Sequence, residues 1–260
     1  MRWLAWMVVL VGLALASAAQ ALEPATTGVV LLHGKWGDPS GVRPLKEAAE
    51  AAGFLADSPA LPWAGTRLYD RPFEAAMDEI AAAANRLTAM GAKRIVVAGH
   101  SLGGNAALYF TTLGHPLAAA VLVAPAHFPE GKMFLDKAAD SVARAQEMVA
   151  AGEGGDVGSF LSLNSGNRSR LLQVKAAIYL SYYAPDAPAA MSLAAPKVRP
   201  VPLLWVAPSA DPSTQAFDQL VAPHLPPGTP LTRIDVTADH MGAPEAGADA
   251  VVEWLKGLPD

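Results

Sequence analysis

The sequence predicts an α/β fold: a doubly wound, mainly parallel sheet of about six strands, interrupted by a helical cap insertion. Three observations predict it. Branched apolar runs of strand length recur along the chain, segments of helical periodicity alternate with them, and one stretch of about 70 residues breaks the rhythm. Val29 to His33 is a continuous apolar run bounded by glycine, the pattern of a strand covered on both faces. Val42 to Ala52 has the spacing of a helix, and Phe54 to Ala60 reads as a weaker strand. Phe73 to Met90 is a second helix, with Pro72 at its first turn and Gly91 just past its end. A strand over Arg94 to Gly99, a helix over Leu102 to Leu113 and a strand over Ala118 to Ala124 follow. Beyond the interruption come strands at Val201 to Ala207 and Leu231 to Val236, with helices at Ser213 to Val221 and Ala246 to Leu258.

From His127 to Lys197 no convincing strand is visible. Lys132 to Ala151 carries a helical period through Phe134, Ala138, Val142, Ala145, Met148 and Val149, and a second helix is expected over Arg170 to Tyr183. Gly152 to Gly155 and Ser162 to Asn167 are the expected turns. A connection this long is expected to form a helical cap over the sheet, at about residues 127–197, rather than a pair of crossover helices.

Composition narrows the chemistry. With 260 residues, 52% hydrophobic and 17% charged, the chain has ample material for a core and is unlike a disordered one. A net charge of -5 gives no footprint for nucleic acid. The absence of cysteine excludes disulfides, thiolate metal sites and a thiolate nucleophile. Arg2, the apolar run Trp3 to Ala16 and Ala19-Gln20-Ala21 together have the form of a secretory signal peptide cleaved after Ala21. The run is shorter than the roughly 20 residues that span a bilayer, so a removed signal is preferred to a retained anchor. Residues 22–260 are then the mature chain, located in the periplasm or the medium, with no stable membrane span.

The strongest chemical signal is Gly99-His100-Ser101-Leu102-Gly103, which places a serine between two glycines, after a strand and before a helix. This is the setting of a nucleophile elbow: the serine sits on a tight, strained turn, and any side chain at the flanking glycines would collide with the strand and helix. Gly104, Ala106 and Ala107 keep the helix start slim, so that its free N–H groups can face developing negative charge.

These residues resemble the α/β-hydrolase family, and the resemblance covers nearly the whole chain after Ala21. Leu31-Leu32-His33-Gly34 matches the family's histidine-glycine pair after an early strand. The resemblance implies an oxyanion hole made by the backbone N–H groups of Lys35 and Leu102, with Trp36 as an alternative donor or a wall of the substrate pocket. His33 is expected to brace the loop. It also implies an acid after a later strand and a histidine near the C-terminus, in that order. Pro208-Ser209-Ala210-Asp211 and Asp239-His240-Met241-Gly242 occupy those positions, which makes Asp211 the acid and His240 the base. His127 is the competing base, and otherwise a pocket residue; Asp239 and Glu130 are the competing acids. The family usually opens with two antiparallel strands, for which about seven residues between Ala21 and Val29 leave no room. A shortened, mainly six-stranded parallel sheet is therefore expected.

The implied reaction is attack of Ser101 on a carbonyl carbon and hydrolysis of the resulting acyl-enzyme, without metal or organic cofactor. A small or medium apolar carboxylic ester is the expected substrate, with Met133, Phe134, Phe160, Leu161, Tyr179, Tyr182 and Tyr183 as residues of the cap, either its core or the roof of a pocket. A thioesterase, lactonase, amidase or peptidase would use the same triad, and a binding protein on an inactive hydrolase fold is the non-enzymatic alternative.

Overall fold

A computed structural model describes residues 22–259, so the expected export segment, residues 1–21, lies outside the described residues. In chain order the elements are β1 (Thr27–Leu32), α1 (Arg43–Ala51), β2 (Leu55–Asp57), α2 (Ala75–Ala89), β3 (Arg94–His100), α3 (Leu102–Phe110), β4 (Ala119–Val123), α4 (Lys132–Lys137) and α5 (Ala139–Ala150). They continue with β5 (Val157–Asn164), β6 (Arg168–Lys175), α6 (Ala176–Tyr183), α7 (Met191–Ala194), β7 (Leu203–Pro208), α8 (Ser213–Leu220), β8 (Leu231–Val236), α9 (Ala243–Ala246) and α10 (Ala248–Lys256).

Six strands form one sheet in the order β2-β1-β3-β4-β7-β8, and every neighbouring pair is parallel. Both faces are covered. Val30, Leu32 and Val97 pack on the side of α2 and α3, while Val29, Leu31, Val96 and Ala98 pack on the side of α1 and α10. Double coverage is why these strands read as unbroken apolar runs rather than as alternating ones. The chain leaves β1 outward to β2 and returns on the other side to β3, so the strand order reverses between β1 and β3. In open parallel sheets the crevice beyond the strands' C-terminal ends at such a point is where ligands bind.

The sheet edges differ from the interior. β2 has three residues where seven were expected, because Pro59 and Pro62 follow it and lack the N–H a ladder needs. At the other edge β8 exposes Arg233 and Asp235, joined to each other at 2.7 Å, and such edge charges discourage pairing with another chain.

The insertion contains strands as well as helices, although no strand was expected between His127 and Lys197. It holds α4 to α7, but β5 and β6 form an antiparallel hairpin paired from Val157↔Lys175 to Asn164↔Arg168. The expected helix at Arg170 to Tyr183 is a strand to Lys175 and a helix only from Ala176. Leu171 is exposed while Leu172 and Val174 are buried, a period of two that the adjacent Leu171-Leu172 pair disguises. The single helix expected over Lys132 to Ala151 is two helices divided at Ala138.

Candidate active site

Ser101 sits between β3 and α3 with φ 56° and ψ −123°. A positive φ outside glycine costs on the order of 1–3 kcal/mol, so the surroundings must enforce it. They do so through two glycines. A Cβ on Gly99 would lie 2.0 Å from the carbonyl oxygen of Gly103, and one on Gly103 would lie 2.3 Å from that of Leu32. The motif therefore marks the closest approach of β1, β3 and α3, and no other residue type fits at either position.

The loops after β7 and β8 bring two more groups to the same end of the sheet. His240 Nε2 lies 3.0 Å from Ser101 Oγ, and His240 Nδ1 lies 2.6 Å from Asp211 Oδ2. The arrangement fits one tautomer, in which Nδ1–H donates to the carboxylate and Nε2 accepts from the hydroxyl. Asp211 also accepts from the backbone N–H of Ser213 at 3.0 Å and from its hydroxyl at 2.5 Å. Burial raises the Asp211 pKa, but the hydrogen bonds from His240 and Ser213 outweigh it, and the net direction is downward. His100 Nε2 donates to the backbone carbonyl of His240 at 2.9 Å and fixes the loop that carries it. Desolvation holds His100 down to about 3, so this ring stays neutral.

The competing residues are engaged elsewhere. Asp239 accepts from the N–H of Gly242 at 2.8 Å, and Glu130 accepts from the N–H of Ser192 at 3.0 Å. His127 is buried, with Nδ1 on Lys35 Nζ at 3.1 Å and Nε2 on the carbonyl of Tyr182 at 2.6 Å.

The loop after β1 is braced from beneath, as expected of His33. That ring donates to the Gly34 carbonyl at 2.8 Å and accepts the N–H of Leu61 at 3.0 Å. The N–H of Trp36 donates to the Trp63 carbonyl at 3.0 Å, which removes Trp36 as an alternative donor to an oxyanion. The N–H groups of Lys35 and Leu102 have no acceptor among the described residues.

A cavity of about 820 Å³ opens above Ser101. Asp211, Ser213, His240 and Met241 form one part of its wall; Lys35, Phe134 and the hairpin tip from Asn164 to Arg168 form another. Trp36 and His127, expected to border the substrate, are not among the residues of this wall. They join the loop after β1 to the insertion instead: Trp36 Nε1 donates to Ser162 of β5 at 3.1 Å, and the Arg170 guanidinium of β6 lies 4.4 Å from the Trp36 ring. Met133 and Phe134 reach the cavity, whereas Phe160, Tyr179, Tyr182 and Tyr183 are insertion core, with Tyr179 stacked on Tyr183 at 4.5 Å. Sequence reasoning missed Asn105, whose amide bonds the carbonyls of His127 and Ala189, and the whole hairpin tip. The only signal for that tip was Gly166-Asn167 in a polar cluster, a pair suited to a hairpin turn because both adopt positive φ. Among the described residues no group of three or more histidine, aspartate or glutamate side chains could hold a metal ion.

Residues 29–254 match the model of the alpha/beta hydrolase family. No curated protein matches the sequence. Solved structures with the same fold include a highly thermostable carboxyl esterase from Bacillus coagulans, at 10% identity and TM-score 0.67, with 92% of each chain covered. A monoacylglycerol lipase from Paleococcus ferrophilus is similar at 20% identity and TM-score 0.63, covering 89% of this chain and 95% of that one. The thioesterase domain from the curacin biosynthetic pathway is similar at 14% identity and TM-score 0.55, covering 90% and 92%.

Proposed function

The chain belongs to the α/β-hydrolase family, and on that premise we propose that it is an exported serine hydrolase that cleaves a carboxylic ester. The observation that carries the proposal is the hydrogen-bonded series Ser101, His240, Asp211 at the base of the cavity. His240 accepts the Ser101 proton as Oγ attacks the carbonyl carbon, then delivers it to the leaving alcohol; Asp211 holds the ring in the tautomer that leaves Nε2 free to accept. The N–H groups of Lys35 and Leu102 receive the oxyanion, each worth roughly 2.7–4 kcal/mol in the transition state. Water activated by His240 then hydrolyses the acyl-enzyme. Export rests on the signal-like segment ending at Ala21, and N-terminal sequencing of the secreted protein is its test.

Ser101→Ala is expected to lower nitrophenyl ester hydrolysis on the order of 10⁶-fold while leaving thermal unfolding nearly unchanged. A fluorophosphonate should label the intact protein stoichiometrically and leave this variant unlabelled. Undiminished turnover by S101A would remove the serine from the mechanism, and no labelling of the intact protein would favour a binding protein. A series of oxygen esters, thioesters, lactones and amides then separates the reactions open to this triad.

A further inference from the structure

Lys35 has a side chain whose placement the mechanism above does not use. It is buried, forms no ion pair among the described residues, and has one polar partner, His127 Nδ1. Because the other nitrogen of His127 donates to the Tyr182 carbonyl, Nδ1 is the lone-pair nitrogen of a neutral ring. Otherwise Nζ lies over the rings of Phe134 and Tyr183, 5.3 and 5.6 Å from their centroids. Burying a lysine without a carboxylate is costly, and an apolar side chain of similar length would fill the same volume without that cost. Yet this lysine borders the cavity that holds Ser101. Arg168, on the same wall, forms no ion pair among the described residues; its Nε donates to the Ser165 carbonyl at 3.1 Å.

The chemistry orients a bound ester. His240 must reach the leaving oxygen, so the alcohol lies toward His240 and the acyl chain extends to the rest of the wall, where Lys35, Phe134 and the hairpin tip are. We propose that Lys35 is a specificity-determining residue that receives a carboxylate on the acyl part, so that the substrate class is the half-ester of a dicarboxylic acid. This rests on the ester-hydrolase reading. In the reaction the Ser101 Oγ–carbon bond forms, the carbon–alcohol oxygen bond breaks, and the Ser101 proton leaves on the alcohol through His240. Water then releases the dicarboxylate.

The charge environment agrees. Desolvation holds Lys35 down to about 7, and the titratable groups packed on it, His127 and Tyr183, bring it no negative charge. The other charged groups on the cavity wall are Lys132 and Arg168, with Asp211 and Asp239 on the His240 side. An arriving carboxylate would therefore meet an amine that becomes charged on pairing.

The test compares kcat/KM for 4-nitrophenyl hydrogen glutarate and neutral 4-nitrophenyl pentanoate, in the intact protein and in Lys35→Met. The anionic-to-neutral ratio is expected to fall about tenfold or more in the variant. In the intact protein the same ratio should fall as pH rises through about 7, and taking the ratio cancels any pH effect on the chemical step that the two esters share. The pH series decides the matter even where K35M does not fold. A ratio that is flat with pH and equal in both proteins, with the neutral ester cleaved by the intact protein, overturns this inference alone. Failure of both esters together with an unlabelled Ser101 overturns the ester reading and this inference with it.

Discussion

The turn at Ser101 and the hairpin tip at Asn164 to Arg168 border the same cavity, and they are held in place by different kinds of contact. The turn is fixed by contact between backbones: Gly99 and Gly103 leave no room for a Cβ, and the strained φ of Ser101 follows from that crowding. Among the described residues the hairpin pairs with no further strand, and side chains distant in sequence anchor it. Ser162 accepts from Trp36, Arg170 lies on the Trp36 ring, and the Asn164 amide donates to the Lys35 carbonyl at 3.4 Å. The groups proposed to make and break bonds thus stand at the C-terminal edge of the sheet, while the facing part of the cavity wall stands on the insertion.

Predictions test that division, beginning with the largest effect. Asp211→Asn removes the carboxylate that orients His240 and should lower kcat on the order of 10³–10⁴-fold, with the fold intact by circular dichroism. A loss below tenfold would assign the orienting role to another group. Next, desolvation lowers the pKa of His33 in the loop after β1, of His100 at the end of β3 and of His127 at the root of the insertion. Unfolding lets them take up protons, so their contribution is complete above the ordinary histidine value of about 6.5 and declines as pH falls below it. Three such groups give a loss of up to about 4 kcal/mol per pH unit. Denaturant melts between pH 7 and 4 measure it, and flat stability over that range would show that these rings ionise in the folded protein. The smallest effect crosses the two regions. Trp36→Phe keeps a ring beneath Arg170 but loses the Nε1–H bond to Ser162, which should lower kcat about tenfold with KM little changed, because the shift reaches the Lys35 N–H. A change in KM alone would mean that the hairpin shapes binding without positioning the oxyanion donors.

What was legible in the chain follows the same line. The strands at Val29, Arg94, Ala118 and Val201 were readable because burial on both faces demands unbroken apolar runs, whereas the edge strand at Leu231 is short of that pattern, with Thr232, Arg233 and Asp235 exposed. The serine turn was readable because its steric demand falls on residues two positions away. Asp211 and His240 were reachable only through family resemblance, since nothing local distinguishes them from Asp239 or His127. The hairpin was misread because Leu171-Leu172, followed by the apolar Ala176 to Tyr183, imitates a helical face, and only the pairing of β5 with β6 settles the period as two.

The sequence by itself determined the doubly wound parallel architecture, the elbow at Ser101 and the absence of any thiol chemistry, because each is dictated by neighbours in the chain or by composition. The tertiary structure decided which aspartate meets which histidine, that Trp36 ties the loop after β1 to the insertion, and that Lys35 is buried without a carboxylate partner among the described residues. Those outcomes depend on groups separated by 29 to 126 residues, whose meeting is set by how loops leave the sheet edge and not by any pattern that a local stretch of sequence can carry.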